Sequence, residues 1–223
     1  MGANAAAEKR ILCYGDSNTW GYIPGSEKHR HSSAVRWPGV LAKELGGGYA
    51  VLEEGLGGRT TVHDDTVEVP LVINRNGMTT FGAILDSHSP LDFVVIMLGT
   101  NDLKQRYHLA ASDIALGAAN LAAVARMPNF GPGLSSPAEV LVVCPPPILE
   151  VGEFFGSMFR GGAEKSEALP AAFRMLKGRG RIQGQVLYAG EHIQSDPADG
   201  IHLSAESHAA LAKAVGQWII SKR

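Results

Sequence analysis

Short runs of valine, isoleucine and leucine alternate along the chain with longer segments in which apolar residues recur at helical spacing. Residues 93–98 include no polar residue, which is typical of a central strand buried on both faces. This alternation predicts a parallel sheet covered by helices on both sides. The predicted strands are residues 10–14, 50–53, 92–98, 139–144 and 185–188. The predicted helices are residues 37–45, 79–87, 112–126, 165–177 and 205–220, the last with Ser204 as its N-cap.

Three stretches between these elements are predicted to be long loops, namely residues 61–77, 129–138 and 145–162. Loops of this length in a compact domain usually carry a site or an interface. The third loop contains five large apolar residues: Val151, Phe154, Phe155, Met158 and Phe159. These residues could form a small apolar cluster attached to the core, a wall of an acyl pocket or a subunit contact, and the sequence leaves these alternatives open.

Length and charge narrow the class of protein. With 223 residues, 45% of them hydrophobic, we expect a single domain over residues 1–223, with residues 1–8 disordered. The net charge of −2 and the scattered lysines and arginines argue against a nucleic-acid binder. No apolar stretch approaches the roughly 20 residues of a membrane span, and residues 1–10 lack the apolar core of a signal peptide. We therefore expect a cytoplasmic protein that binds neither nucleic acid nor membrane.

The richest chemistry lies just after the first predicted strand and near the end of the chain. Gly15-Asp16-Ser17 follows the apolar run 11–14, and Asp199-Gly200-Ile201-His202 precedes the last helix. Reactive groups of an open parallel sheet gather at the carboxyl ends of its strands, so the two segments are expected to meet. A serine, a histidine and an aspartate can supply the nucleophile, the base and the orienting carboxylate of acyl transfer.

Two further segments follow the second and third predicted strands. The first is Gly55-Leu56-Gly57-Gly58-Arg59-Thr60-Thr61, and the second is Gly99-Thr100-Asn101-Asp102. Their backbone N–H groups and the Asn101 carboxamide would reach the same end of the sheet, where an oxyanion needs donors. Gly-Asp-Ser alone also fits an ordinary turn, and Gly57 and Gly58 could serve only the backbone, but the four segments together favour an active site.

These four segments resemble the SGNH (GDSL-type) hydrolase family, and the likeness covers essentially the whole chain. Several further stretches, such as Val35-Arg36-Trp37 and Pro145-Pro146-Pro147, resemble its bacterial arylesterase/acyltransferase branch. The resemblance implies a flavodoxin-like three-layer α/β/α fold with a five-stranded parallel sheet in the order 2-1-3-4-5. It also implies a catalytic set of Ser17, Asp199 and His202, and an oxyanion hole of the Ser17 and Gly58 N–H groups and the Asn101 amide. Members of that branch are esterases of short acyl groups, some with perhydrolase activity, and several form octamers.

Two positions depart from the family pattern. Asn18 stands where the Gly-Asp-Ser-Leu motif that gives the family its name has leucine. Gly57 stands where an acyltransferase relative has a small hydroxyl residue. Both are candidate pocket residues, together with Trp20, Phe154 and Phe155. Asp16 is interpreted as a turn or cap carboxylate and Asp102 as a helix-start carboxylate, while the seven histidines other than His202 are expected on the surface.

Neither a metal nor a cofactor is expected. His63-Asp64-Asp65 fits a solvated turn, and the chain has no Gly-x-Gly-x-x-Gly or P-loop segment. The expected function is a serine esterase for small-molecule acyl or aryl esters, with acyl transfer to an alcohol or peroxide as a second outcome, in a homo-oligomer. The alternatives are a carbohydrate acetylesterase that uses the same residues and a binding module that has lost its chemistry, which a serine-directed probe would separate from an enzyme.

Overall fold

The computed structural model describes residues 8–68, 73–133 and 136–222, and five parallel strands form its central sheet. The strands are β1 (Lys9–Gly15), β2 (Tyr49–Gly55), β3 (Phe93–Met97), β4 (Glu139–Cys144) and β5 (Gln185–Tyr188). Their order is β2-β1-β3-β4-β5, and all four neighbouring pairs are parallel. The predicted flavodoxin-like topology is confirmed.

Seven α-helices connect or follow these strands in the described ranges. They are α1 (Ser17–Trp20), α2 (Trp37–Leu45), α3 (Gly77–His88), α4 (Ala111–Ala125), α5 (Glu153–Met158), α6 (Gly162–Gly178) and α7 (Ala205–Ile220). Short 3-10 turns occupy Asn101–Leu103, Gln105–Tyr107, Pro128–Phe130 and Ala189–Glu191. The Ser204 hydroxyl caps α7 by accepting from the Ser207 N–H at 3.2 Å, as the sequence predicts.

Alternating residues of each strand feed two separate cores, one on each face of the sheet. In β1, Leu12 and Tyr14 pack with residues of α3, α4 and α6, whereas Ile11 and Cys13 pack with residues of α2 and α7. Every residue of β3 is buried, as its uninterrupted apolar sequence predicts. The sheet therefore forms the middle layer between two layers of helices.

The register of the strands brings the chemically important segments to one edge. Gly15, the last residue of β1, pairs with Gly55, the last residue of β2, and with Met97, the last residue of β3. The segments that follow these strands begin side by side because their strands end at the same level. Ser17, Gly57, Gly58 and Asn101 lie on those segments.

The helices and strands deviate from the sequence prediction mainly at one place. Helix α5 lies inside the stretch 145–162, which the sequence predicts as a loop. Its six residues make fewer than two turns, too short for apolar periodicity to distinguish a helix from a loop. Strand β2 also extends past the predicted 50–53 at both ends, and α6 begins before residue 165.

The expected disorder at residues 1–8 falls almost wholly on residues 1–7, which lie outside the described residues. In the three described ranges, no helix combines the length and the apolarity needed to cross a membrane.

Candidate active site

Ser17 lies at the first position of α1, immediately beyond the end of β1. The Asp16 carboxylate caps this helix by accepting from the Asn18 N–H at 2.9 Å, so the interpretation of Asp16 as a cap is confirmed. Gly15 has no room for a side chain, because a Cβ there would lie 2.0 Å from Thr19 Oγ1. A tight strand-to-helix turn therefore holds Ser17 at the sheet edge. Burial raises the pKa of Asp16 to about 6, even though the Asn18 N–H and His202 oppose this shift.

Three side chains from the two ends of the chain form a continuous hydrogen-bonded line. His202 Nε2 lies 3.0 Å from Ser17 Oγ, and His202 Nδ1 lies 2.7 Å from Asp199 Oδ2. All three residues are buried. Their order and spacing match what a nucleophile, a base and an orienting carboxylate require.

Backbone donors hold the Asp199 carboxylate in place. Its Oδ1 accepts from the N–H groups of Ile201 and His202 at 3.0 and 2.9 Å, and its Oδ2 also accepts from the Gly25 N–H at 3.1 Å. Burial alone would raise the pKa of Asp199, but the hydrogen bonds and charge of His202 and the Ile201 N–H lower it to about 2. The carboxylate is thus ionised where it faces the imidazole.

The His202 ring lies between two aromatic side chains. Tyr22 stacks on it with the ring centroids 4.1 Å apart, and Phe155 contacts it edge-on at 5.8 Å. Sequence analysis proposed Phe155 for the pocket and missed Tyr22. Tyr22 reaches the site because of the path of the loop after α1, which no spacing rule predicts. These contacts limit the orientations that the imidazole can adopt.

The segment after β2 is attached to the segment after β3 by hydrogen bonds. Asn101 Nδ2 donates to the Arg59 carbonyl at 3.1 Å and has a longer contact of 3.4 Å to Asp16 Oδ2. Gly58 has a φ of +81°, which favours glycine, and the Arg59 guanidinium donates to the Gly15 carbonyl at 2.8 Å. These bonds hold the Gly58 segment and the Asn101 side chain next to the end of β1.

Asp102 has a larger role than the helix-start carboxylate that the sequence suggested. It does lie in the first turn of a 3-10 helix. Its buried carboxylate, however, accepts from the Thr61 N–H at 3.0 and 3.1 Å and from the Thr61 hydroxyl at 2.5 Å. Asp102 therefore ties Thr61, at the end of the glycine-containing segment, to the segment that carries Asn101.

Ser17, Gly58, Asn101 and His202 line one cavity of about 470 Å³. Its other lining residues include Trp20, Tyr22, Gly57, Phe155, Met158 and Phe159, together with the charged residues Lys28, Glu68, Arg75 and Lys104. The cavity thus has aromatic side chains beside His202 and a charged side chain, Arg75, beside Gly58. The sequence does not indicate that these charged residues line the cavity, because none of them belongs to a recognisable motif.

Two of the proposed pocket residues, Asn18 and Phe154, do not line this cavity. The Asn18 side chain is buried, and its Nδ2 donates to the Ile201 carbonyl at 3.2 Å, because the short helix α1 directs it toward the segment before His202. Phe154 is 66% exposed and packs edge-on against Phe155, since successive residues of α5 point in different directions. The proposed residues Trp20, Gly57 and Phe155 do line the cavity.

His208 contradicts the expectation that the other histidines lie on the surface. Its ring is fully buried, and its Nδ1 accepts from the Trp37 N–H at 3.2 Å. Burial lowers the pKa of His208 to about 3, and the neighbouring His31 and His202 lower it further in the same direction. A buried apolar position on α7 holds this histidine neutral.

The two cysteines are buried and unpaired, with β3 between their strands. Burial raises the pKa of the Cys144 thiol to about 12. Within the three described ranges, no group of three or more histidine, cysteine, aspartate or glutamate side chains is arranged to hold a metal ion.

A doubly wound parallel sheet with a buried Ser–His–Asp line at its carboxyl edge is an arrangement typical of α/β hydrolases. The model of the GDSL-like lipase/acylhydrolase family matches residues 13–210. The chain belongs to that family, as its resemblance to SGNH hydrolases predicts. A comparison with curated protein sequences gives no significant match.

Several solved structures are similar over nearly the full length. Est24, a carbohydrate acetylesterase from Sinorhizobium meliloti, is 39% identical, with a TM-score of 0.87 over 97% of this chain and 100% of that one. The M. smegmatis aryl esterase is 38% identical, with a TM-score of 0.86 over 96% and 99% of the two chains. A putative arylesterase from Agrobacterium tumefaciens is 35% identical, with a TM-score of 0.82 over 96% and 99%.

Proposed function

We propose that the protein hydrolyses short-chain acyl or aryl esters through an acyl-enzyme on Ser17, with transfer to an alcohol or peroxide as a second outcome. The line of hydrogen bonds from Ser17 through His202 to Asp199, in the wall of a cavity, carries this proposal. The similarity to a carbohydrate acetylesterase and to an aryl esterase supports the substrate class.

In this proposal His202 is the base. Its Nε2, 3.0 Å from Ser17 Oγ, takes the hydroxyl proton as the oxygen attacks the ester carbonyl carbon. The same proton then goes to the departing alkoxide as the carbon–oxygen bond breaks, which leaves the acyl group on Ser17. Water, activated in the same way, hydrolyses the acyl-enzyme. Asp199 stays ionised and stabilises the imidazolium that forms between these steps.

The oxyanion would be held by the Ser17 and Gly58 N–H groups and the Asn101 amide. One Asn101 N–H is fixed on the Arg59 carbonyl, while the other makes only the longer 3.4 Å contact with Asp16. A carbonyl oxygen that gains negative charge competes better for that second N–H than a neutral one does. Asn101 would therefore bind the transition state more strongly than the substrate.

Cavity size supports a preference for small acyl groups. The cavity of about 470 Å³ must hold both the acyl and the alcohol parts of an ester. Phe155, Met158 and Phe159 close its aromatic side, and Phe159 is almost fully buried. A long acyl chain would have to displace these side chains.

A carbohydrate acetylesterase is the second candidate. The similarity to Est24 favours it, and the same serine, histidine and aspartate would act on an acetylated sugar. Turnover of acetylated sugars exceeding that of acetylated phenols would favour this candidate.

A serine-directed fluorophosphonate probe tests the chemistry directly. We expect the wild-type protein to be labelled at Ser17, Ser17→Ala to remain unlabelled, and Ser87→Ala, which changes an exposed helix residue, to behave as wild type. Nitrophenyl esters from acetyl to octanoyl then test the acyl preference. Labelling of Ser17→Ala at the wild-type rate would place the nucleophile elsewhere.

A further inference from the structure

Five charged residues form a network at one side of the cavity, and three of them, Glu68, Arg75 and Lys104, line it. Lys104 Nζ lies 3.3 Å from Asp65 Oδ2 and 2.5 Å from Glu68 Oε2, and Arg106 lies 3.0 Å from Asp65 Oδ1. The fifth member, Arg75, has its closest carboxylate oxygen, Glu68 Oε2, at 3.8 Å. The side chains of Asp65 and Lys104 are almost inaccessible, with exposures of 0% and 3%.

The network contains three cations and two carboxylates, so one positive charge is in excess. The Asp65 carboxylate forms ion pairs with Arg106 and Lys104, and the Glu68 carboxylate forms an ion pair with Lys104. Burial would raise the pKa of Asp65, but the N–H groups of Glu68 and Val67 and the two cations lower it to about 2. Each carboxylate has a closer cation than Arg75, which lies 3.8 Å from Glu68 Oε2 and is the least tightly paired cation of the network.

The Arg75 guanidinium lies directly against the segment that carries Gly58. A Cβ built on Gly58 would lie 2.9 Å from Arg75 Cδ and 3.0 Å from Arg75 Nη1. Arg75 Nη1 donates to the Glu68 backbone carbonyl at 3.3 Å, and among the described residues no partner is found for the buried Nε. Arg75 also lines the cavity that contains Ser17 and His202. A fixed positive charge therefore borders the space that an ester would occupy.

Lys28 also contributes positive charge to the cavity lining. The lining cations are Lys28, Arg75 and Lys104, and Glu68 is the one carboxylate among the described lining residues. A neutral aryl or acetyl ester needs no such charge. A carboxylate accepts parallel hydrogen bonds from a guanidinium, which makes arginine well suited to recognise it.

We propose that Arg75 forms a specificity subsite for esters that carry a negatively charged carboxylate, on either the acyl or the alcohol part. The inference rests on the proposed esterase function, because it assigns the substrate class of the same cavity. Recognition would be electrostatic, through the guanidinium group that lies between Gly58 and Glu68. Salt should weaken it, since the cavity is open to solvent.

Three esters test the subsite: neutral 4-nitrophenyl acetate, the 4-nitrophenyl monoester of succinate with the charge on the acyl part, and 4-acetoxybenzoate with the charge on the leaving group. The wild-type protein should show a higher kcat/KM for at least one charged ester than Arg75→Gln does. We expect a loss of about tenfold for that ester and little change for the neutral one. Arg75→Lys, which keeps the charge, should retain part of the preference.

Arg174→Gln is the matched control, because Arg174 pairs with the exposed Glu191 and does not line the cavity. An equal loss on all three esters in Arg75→Gln would mean that Arg75 only supports the Gly58 segment, and the proposal would be wrong. Unchanged kinetics on both charged esters would also overturn it. A wild-type protein that hydrolyses none of the three would instead refute the esterase proposal on which this one rests.

Discussion

His202 Nε2 lies 3.0 Å from Ser17 Oγ, although 185 positions separate the two residues in the sequence. A second hydrogen bond joins their sequence neighbours, because the Asn18 side-chain Nδ2 donates to the Ile201 backbone carbonyl at 3.2 Å. The contact between Ser17 and His202 is therefore supported by a hydrogen bond between their sequence neighbours, Asn18 and Ile201. A mutation at Asn18 should disturb this alignment even though Asn18 does not face the cavity.

Ser17 and His202 are expected to act as one unit. Ser17→Ala and His202→Ala should each reduce kcat for a nitrophenyl acetate by at least about 10³-fold, because each removes the same proton-transfer step. The double variant should be scarcely slower than either single variant. Steady-state kinetics on the three variants, with identical folds checked by circular dichroism, measure this. Additive losses in activation free energy would contradict a shared step.

Asn101 is expected to stabilise the transition state. Asn101→Ala should lower kcat by roughly 10²-fold or more and leave KM nearly unchanged, because the charge that its amide meets develops only during attack. Asn120→Ala, at an exposed position on α4, is the control and should keep wild-type kinetics. A raised KM with an intact kcat would reassign Asn101 to substrate binding.

Asp102 is expected to position the Gly58 segment through Thr61. Asp102→Ala leaves the buried Thr61 N–H and hydroxyl without their acceptor, which should cost about 2–4 kcal/mol of unfolding free energy and lower kcat. Asp113→Ala removes an exposed carboxylate that accepts from the Ala110 N–H, so it should cost about 1 kcal/mol or less and leave kcat unchanged.

Denaturant titrations and kinetics on the two aspartate variants separate positioning from stability. If Asp102→Ala does not fold, Thr61→Val, which keeps the N–H bond and removes only the hydroxyl, provides the same comparison at lower cost. An unchanged kcat in a destabilised Asp102 variant would limit this residue to a structural role.

His208 is expected to make the protein sensitive to acid. The pKa of His208 is about 3 in the folded state, against an ordinary histidine value of 6.5, so the unfolded chain binds a proton that the folded one does not over that range. The unfolding free energy should therefore fall as the pH drops below 6.5, with a slope of up to about 1.4 kcal/mol per pH unit from this group. His208→Asn keeps an acceptor for the Trp37 N–H and should flatten the slope.

Denaturant titrations between pH 7 and about pH 4 measure this slope. Asp16 acts with the opposite sign, because burial raises its pKa to about 6, and its effect cancels in the difference between wild type and variant. His192→Asn, at an exposed position, should leave the slope unchanged. Parallel curves for wild type and His208→Asn would rule out His208 as the source.

The segment around α5 is expected to take part in self-association. Phe154 is 66% exposed, and covering one large apolar side chain is worth roughly 1.5–3 kcal/mol. Light scattering at low protein concentration should show an oligomer, and Phe154→Ser should shift it toward smaller species, whereas Met175→Ser on α6 should not. A strict monomer that prefers octanoyl esters would contradict both the assembly and the small pocket. A monomer that prefers acetyl esters would leave the segment as an intramolecular wall.

Much of the fold could be predicted from the sequence because its signals are local. The uninterrupted apolar run of β3 and the serine cap of α7 each depend on neighbouring residues, and both are present as predicted. The four motif segments could also be placed at one sheet edge, since parallel strands deliver their carboxyl ends there. Helix α5 was missed because it is too short to show a period.

The sequence by itself determined which residues could supply the chemistry, since nucleophile, base and carboxylate are properties of side chains in short motifs. Only the tertiary structure decided what surrounds them. Long-range packing sets the direction of a side chain on a short helix or a loop. It accounts for three contacts: the hydrogen bond of Asn18 to Ile201, the stacking of Tyr22 on His202 and the position of Arg75 against Gly58. The shape and charge of the cavity arise from these contacts between distant residues, and no local pattern in the sequence encodes them.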